Sequence, residues 1–237
     1  MIVYGRNPVR EAIRGPREVS RVWATKNASR EPWLSGRAAP AVVSARAEEI
    51  ERLSGSGAHQ GICADVAPFR YAAVDRLLAA SEPLIVALDQ IQDPQNLGAI
   101  CRTAETAGVT GLLFPERRSV EITPAVCKAS AGAVEHLPIA QVGNLADFLA
   151  EAKAAGLWCY GADADARTAY DAVDYRGGAV LVLGSEGRGL RPRVAAACDA
   201  LVSIPVRGRI ESLNVGAAAA VLIYEAARTR RAQTPSA

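Results

Sequence analysis

Leu84-Ile85-Val86-Ala87-Leu88-Asp89 is followed closely by Asp93-Pro94-Gln95-Asn96-Leu97-Gly98-Ala99-Ile100-Cys101-Arg102-Thr103-Ala104. The first stretch is an unbroken apolar run ending on a carboxylate, the pattern of a strand buried on both faces. The second carries Leu97, Ile100, Cys101 and Ala104 as one apolar stripe at helical spacing. Asn96 sits where an N-cap belongs and Gly108 where the left-handed C′ residue belongs. Strand, polar loop and helix thus follow one another. The grammar returns at Ala179–Leu183, which ends in Gly184-Ser185-Glu186-Gly187-Arg188-Gly189-Leu190. It returns again at Leu201–Pro205, which leads through Gly208–Glu211 to Ser212-Leu213-Asn214.

Outward from these stretches the pattern predicts strands at 110–114, 137–140 and 157–161. Helices are expected at 97–107, 123–131, 145–154, 191–196 and 213–230. Such alternation implies an α/β fold whose largely parallel sheet is covered on both faces. Polar loops after the carboxyl ends of strands are where such sheets place ligands. Residues 1–68 read as a separate small α/β unit, with a helix at 9–13, strands at 19–24 and 61–66, and a helix at 45–53. Residues 69–82 form a helix-prone linker, 83–233 the larger domain and 234–237 a tail. The last helix is apolar nearly all round, which implies burial, and Gly216 with its alanine neighbours permits close helix packing.

The chain has 237 residues, half of them hydrophobic, enough for a sizeable core. No run approaches the roughly 18 apolar residues of a membrane span. The N-terminus lacks the apolar stretch of a signal peptide, so a cytoplasmic protein is expected. Five cysteines without a C-x-x-C, and two distant histidines, argue against a disulfide framework or a metal site. They read as small buried hydrophobes. The net charge of +2 announces no global basic field, but residues 1–70 carry 11 Lys/Arg against 7 Asp/Glu. The cations are nearly all Arg, whose planar fork suits phosphate and stacks on bases. A GC-rich genome explains the same bias equally well.

The three loops supply the candidate chemistry. Arg102 lies about 9 Å of helix rise beyond Asn96, within reach of the helix entrance, and a phosphate is the natural guest there. Glycines around Glu186 let backbone approach a ligand, and a single Glu can orient a substrate or act as a base. Their order does not fit a dinucleotide fingerprint. Ser212 and Asn214 are both credible N-caps of the last helix. An ordinary capped helix, a tight turn with a solvated Glu and a plain N-cap remain standing alternatives. Spacing alone does not name a reaction.

Asn96–Ala104, Leu183–Leu190, and Ser203-Ile204-Pro205 with Ser212-Leu213-Asn214-Val215 together resemble the three motifs of the SpoU branch of the SPOUT methyltransferases. Val3-Tyr4-Gly5, Val9–Ile13 and His59-Gln60-Gly61-Ile62 are similar to the ribosomal-protein-like (L30e-like) domain of a bacterial subgroup that methylates a guanosine of large-subunit rRNA. The resemblance implies an RNA ribose 2′-O-methyltransferase using S-adenosylmethionine, a C-terminal trefoil knot and a homodimer. It implies catalytic roles for Asn96, Arg102, Glu186, Ser212 and Asn214, and cofactor binding by Gly184, Ile204 and Leu213. Gly216 departs from the family, whose members often carry Ser there, and Arg207 and Arg209 add charge to the third loop. No metal and no membrane are expected. The rivals are a tRNA methyltransferase of the same family, a catalytically silent RNA-binding or assembly protein, and an unrelated small-molecule binder.

Overall fold

The computed structural model describes residues 1–35, 40–210 and 212–231. The expected tail at 234–237 and Glu211 of the third loop lie outside the described residues. In chain order the elements are β1 (Ile2–Tyr4), α1 (Arg6–Arg14), β2 (Val19–Ala24), β3 (Val42–Ser44), α2 (Ala47–Ser54), β4 (Ile62–Val66), α3 (Val74–Leu78), β5 (Leu84–Asp89) and α4 (Pro94–Ala107). There follow β6 (Gly111–Pro115), α5 (Pro124–Ala129), β7 (Ile139–Val142), α6 (Leu145–Ala154), β8 (Trp158–Ala162) and β9 (Thr168–Ala169). The last are β10 (Ala179–Gly184), α7 (Pro192–Ala197), β11 (Ala200–Ser203) and α8 (Val215–Arg231).

Two compact units emerge. One comprises Met1–Arg70 together with Glu121–His136, and the other comprises Tyr71–Val120 with the chain from Leu137 onward. The first unit holds a four-stranded sheet in the order β1-β4-β2-β3. Strand β4 pairs antiparallel with β1 and β2, and β3 adds parallel to β2. The two outer strands have three residues each, too short to show a period in the sequence. Inside this unit Arg17 and Glu135 form a buried ion pair, with side chains 6% and 1% exposed. Arg17 also donates from Nη1 to the Ala67 carbonyl at 3.0 Å, and its guanidinium lies 5.5 Å from the Phe69 ring centre. Thus the 121–136 segment, far along the chain, is tied to the N-terminal residues by a desolvated charge pair.

The second unit is built on a seven-stranded sheet, β7-β6-β5-β10-β8-β11-β9. Every pairing in it is parallel, as the alternation of elements implied. Ile85, Ala87, Val180 and Val182 face one layer with Leu145, Phe148 and Leu149 of α6 and Val194 of α7. Because strand side chains alternate, Val86, Leu88, Leu181 and Leu183 face the opposite side. There α4 and α8 pack together, α8 against β10 and α4 against β6. A Cβ added at Gly216 of α8 would stand 3.4 Å from the Ala99 Cβ of α4, so this helix crossing is close and the small residues permit it. Strand order reverses beside β5, with β6 on one side and β10 on the other, which is where open parallel sheets place ligands.

Four cysteines are buried and Cys198 is half-buried, all as free thiols. No described helix is long and apolar enough to cross a membrane. Among the described residues no group of three His, Cys, Asp or Glu is placed to hold a metal ion.

Candidate active site

Because the sheet is parallel, the loops after β5, β10 and β11 leave from the same edge, and the register sets Asp89 opposite Gly184 there. The β5 loop enters α4 through Asp93, not Asn96. The Asp93 carboxylate accepts from the Gln95 and Asn96 amides at 3.0 and 3.4 Å, and Pro94 occupies the first helical position. That corrects the expected N-cap by three residues. Pro is tolerated at the first helical position because its missing N–H would have had no helical partner. Asn96 is thereby moved inside the first turn and is 8% exposed. Gly108 closes the helix in the left-handed conformation as expected.

The β10 loop is a tight turn. Gly189 donates its amide to the Ser185 carbonyl at 2.9 Å, and Gly187 and Gly189 both have positive φ. Gly184 has a stronger constraint. A Cβ there would lie 2.1 Å from the Gly189 carbonyl carbon and 2.4 Å from the Leu190 amide nitrogen. Backbone occupies that space, so no side chain fits. Beyond the turn, Arg191 donates from its amide and its Nε to Asp89, at 2.9 and 2.8 Å. The Asp89 side chain is wholly buried, so this pair fastens the end of the β10 loop to the end of β5. Sequence reasoning missed it: the partners are 102 residues apart and neither stands in a motif.

Asn214 joins the three loops. Its Nδ2 donates to Asn96 Oδ1 at 2.9 Å and to Glu186 Oε1. Its Oδ1 accepts from the Gly216 and Ala217 amides at 2.9 and 3.3 Å, which caps α8. Both hydrogens and both lone pairs of this amide are therefore engaged. Glu186 is exposed, and its second oxygen has no hydrogen bond among the described residues. The Asn96 Nδ2 is likewise left free to donate among the described residues. So Asn96, Glu186 and Asn214, from three distant stretches of sequence, meet directly.

Arg102 and Ser212 are not drawn into that network. Both are exposed, and neither side chain makes a hydrogen bond or ion pair among the described residues. Ile204 is half-buried just past β11, while Leu213 is 44% exposed beside the Asn214 cap. Val206 and Ile210 of the same loop are 45% and 76% exposed, an unusual amount of apolar surface on a polar loop.

A parallel α/β sheet with a glycine-locked turn, a positioned carboxylate and free donors at its carboxyl edge defines a binding or transfer site for a polar ligand beside an apolar one. Comparison with known proteins makes the class specific. Residues 83–224 match the model of the SpoU rRNA Methylase family, and residues 2–72 match that of the RNA 2′-O ribose methyltransferase substrate-binding domain. The chain belongs to the SpoU methylase family. It is 38% identical, over 96% of its length and 95% of the relative's, to YacO of Bacillus subtilis, which is named for the TrmH family of tRNA/rRNA methyltransferases. An AdoMet-bound rRNA methyltransferase from Sinorhizobium meliloti superposes with a TM-score of 0.80 at 26% identity, covering 96% of this chain and 86% of that one. A TrmH-family RNA methyltransferase structure from Porphyromonas gingivalis gives 0.76 at 31% identity, covering 98% and 90%.

Proposed function

We propose that the protein transfers a methyl group from S-adenosylmethionine to a ribose 2′-hydroxyl, on a guanosine of large-subunit (23S) rRNA. The observation that carries the reading is the hydrogen-bonded meeting of Asn96, Glu186 and Asn214 at the carboxyl edge of the sheet. These are the positions the family resemblance assigns to catalysis; Arg102 stands further along the same helix as Asn96, and Ser212 in the same loop as Asn214.

The residues present fit the cofactor. Gly184, Ile204 and Leu213 offer backbone at the ends of β10 and β11 and before α8, and exposed Leu213, Val206 and Ile210 offer apolar cover for an adenine and a thioether. Bound there, the sulfonium supplies a methyl already activated for transfer, so the protein's task is to prepare and place the acceptor. Arg102 is a poor base, since a guanidinium is a donor with no acceptor site for a proton. Its role is to clamp the adjacent phosphate and to stabilise negative charge developing on the 2′-oxygen. Glu186, held by Asn214, turns its other oxygen toward the hydroxyl proton. Asn96 Nδ2 and the Ser212 hydroxyl complete the orientation, bringing the reacting atoms to about 3–3.5 Å. Asn214 is a positioning residue, because all its polar atoms are already used within the protein.

Residues 1–68 are read as the RNA-gripping domain, supported by their match to a substrate-binding model. A homodimer and a trefoil threading belong to the same proposal. Exposed Trp158 and Tyr224 support the first. The return of the chain from β8 inward to β10 and outward to β11 supports the second. A cytoplasmic location follows from an RNA substrate of this kind.

The test is transfer from labelled S-adenosylmethionine to unmodified large-subunit rRNA and, in parallel, to tRNA, with the site mapped by reverse-transcription stops. One methylated guanosine in the ribosomal RNA is expected. Labelling of tRNA alone would overturn the substrate while keeping the chemistry. Silence on both would return the protein to the RNA-binding, non-catalytic reading.

A further inference from the structure

A second concavity opens on the same edge of the large sheet, outside the ends of β5, β6 and β7. It encloses about 290 Å³, and four arginines line it: Arg117, Arg118, Arg191 and Arg193, with Gln90 and Asn144 among the other lining residues. Among the described residues no carboxylate lines it. Two of the arginines are ion-paired, Arg191 to a buried carboxylate and Arg193 to an exposed one. Arg191 is held through its Nε by buried Asp89, and Arg193 through one Nη by Asp147 at 2.8 Å. Both keep further N–H groups for a ligand. Arg117 and Arg118 are exposed and make no side-chain hydrogen bond or ion pair among the described residues.

The backbone around the cleft is also unusual. Five non-glycine residues among those described have positive φ, and two of them, Gln90 and Arg118, line this one cleft, each at 63°. A left-handed backbone is a costly conformation for an Arg. The Ser119 hydroxyl beside it is buried with no hydrogen-bond partner among the described residues. Loops held in costly conformations around four guanidinium groups, two of them without a carboxylate partner among the described residues, are arranged for a ligand rather than for the stability of the fold. The chemistry is that of phosphate recognition, because guanidinium forks fit phosphate oxygens in pairs. The cleft spans three adjacent strands, about 10 Å, so it suits a run of phosphates better than a single ion.

We infer that this arginine cleft binds the phosphodiester backbone of the RNA substrate next to the nucleotide being methylated. The inference rests on the RNA methyltransferase reading and adds the path of the substrate to it. Gln90 leaves β5 only a few residues before Asn96, so the cleft and the catalytic loops share one strand end. A backbone held by Arg117 and Arg118 would lie along the same strand-end edge that carries Asn96 and Glu186. The neighbouring arginines then supply grip without touching the reacting atoms.

The experiment measures binding of the full-length protein to a large-subunit rRNA transcript across a salt series, with S-adenosylmethionine affinity measured by calorimetry. The variant is Arg117→Ala/Arg118→Gly, since glycine accepts the positive φ at 118. Arg193→Glu is an independent second variant, and Arg176→Ala, outside the cleft, controls for loss of charge alone. Both cleft variants are expected to bind RNA about tenfold more weakly. The slope of log affinity against log salt should fall by about 1 for each phosphate contact removed. Cofactor affinity should be unchanged, and the control should behave as wild type. Wild-type affinity and slope in both cleft variants, with wild-type transfer intact, would overturn the cleft and leave the proposed function standing. A wild-type protein that neither binds nor methylates RNA would overturn the function and the cleft together.

Discussion

The Arg17–Glu135 pair of the N-terminal unit and the Asn96–Asn214–Glu186 cluster of the larger one are both polar, and both join residues far apart in sequence. They differ in what is left over. The ion pair is sealed: both side chains are nearly inaccessible, and burial works against the Arg17 charge while the Glu135 carboxylate more than restores it, so the guanidinium is held above its ordinary value. The asparagine–glutamate cluster keeps an amide nitrogen and a carboxylate oxygen unengaged at the edge of the sheet. A sealed polar cluster serves the fold, and one with spare valences serves a ligand.

That contrast predicts opposite mutational signatures. Arg17→Ala should be the most damaging to stability, because it strands a buried carboxylate. A loss of about 3–5 kcal/mol is expected in denaturant unfolding, and a loss below about 1 kcal/mol would show that Glu135 is better solvated than its burial implies. Asn214→Ala should invert the pattern. Losing the α8 cap costs about 1 kcal/mol, whereas methyl transfer should fall about 100-fold or more as Glu186 swings free. Asn214→Ser, which can still cap, should recover the stability and not the turnover. Arg102→Lys keeps the charge but not the planar fork, and kcat should fall at least about tenfold with cofactor affinity intact. Near-normal turnover would refute a specific role for the fork.

Smaller effects sharpen the same line. Gly184→Ala must displace the Gly189–Leu190 backbone. It should cost about 1–3 kcal/mol and weaken cofactor binding. Gly187→Ala meets no atom within 4 Å and should cost only its positive φ, about 1 kcal/mol. The thiols offer the mildest test. Burial pushes Cys63 and Cys127 up to about 11, and Cys159 and Cys198 up to about 12. Because the thiolate is the reactive form, native protein at pH 8 should resist alkylation at these four positions, half-buried Cys198 being the most accessible of them. Rapid stoichiometric labelling at pH 8 would contradict their burial.

Much of the larger unit was legible because its signals are local. The apolar runs at 84–88 and 179–183, each bounded by a polar loop, read as buried strands, and the parallel sheet followed from the helices between them. Asn214 as cap of α8 could be read from an Asn before an apolar helix. Asp93 as cap of α4 is equally legible from Asp-Pro at a helix start, whereas Asn96, three residues on, has only the right residue type. What escaped has no local signature. The Asp89–Arg191 clasp, the docking of 121–136 among the N-terminal residues and the four-arginine cleft each join distant segments through single side chains. The two-residue strand β9 and three-residue strands β1 and β3 are too short to carry a period. The sequence motifs also carry Arg102, on the helix whose first turn holds Asn96, and Ser212, in the loop that ends at Asn214; both stay exposed beside the cluster.

The most direct test of the central claim asks which atom receives the methyl. RNA labelled by the protein from S-adenosylmethionine would be hydrolysed in alkali, where each phosphodiester is cut by its neighbouring 2′-hydroxyl unless that oxygen is methylated. The account predicts that the label is recovered in alkali-resistant dinucleotides. Label in mononucleotides, which marks a methylated base, would contradict a ribose 2′-O-methyltransferase built on Asn96, Arg102, Glu186, Ser212 and Asn214.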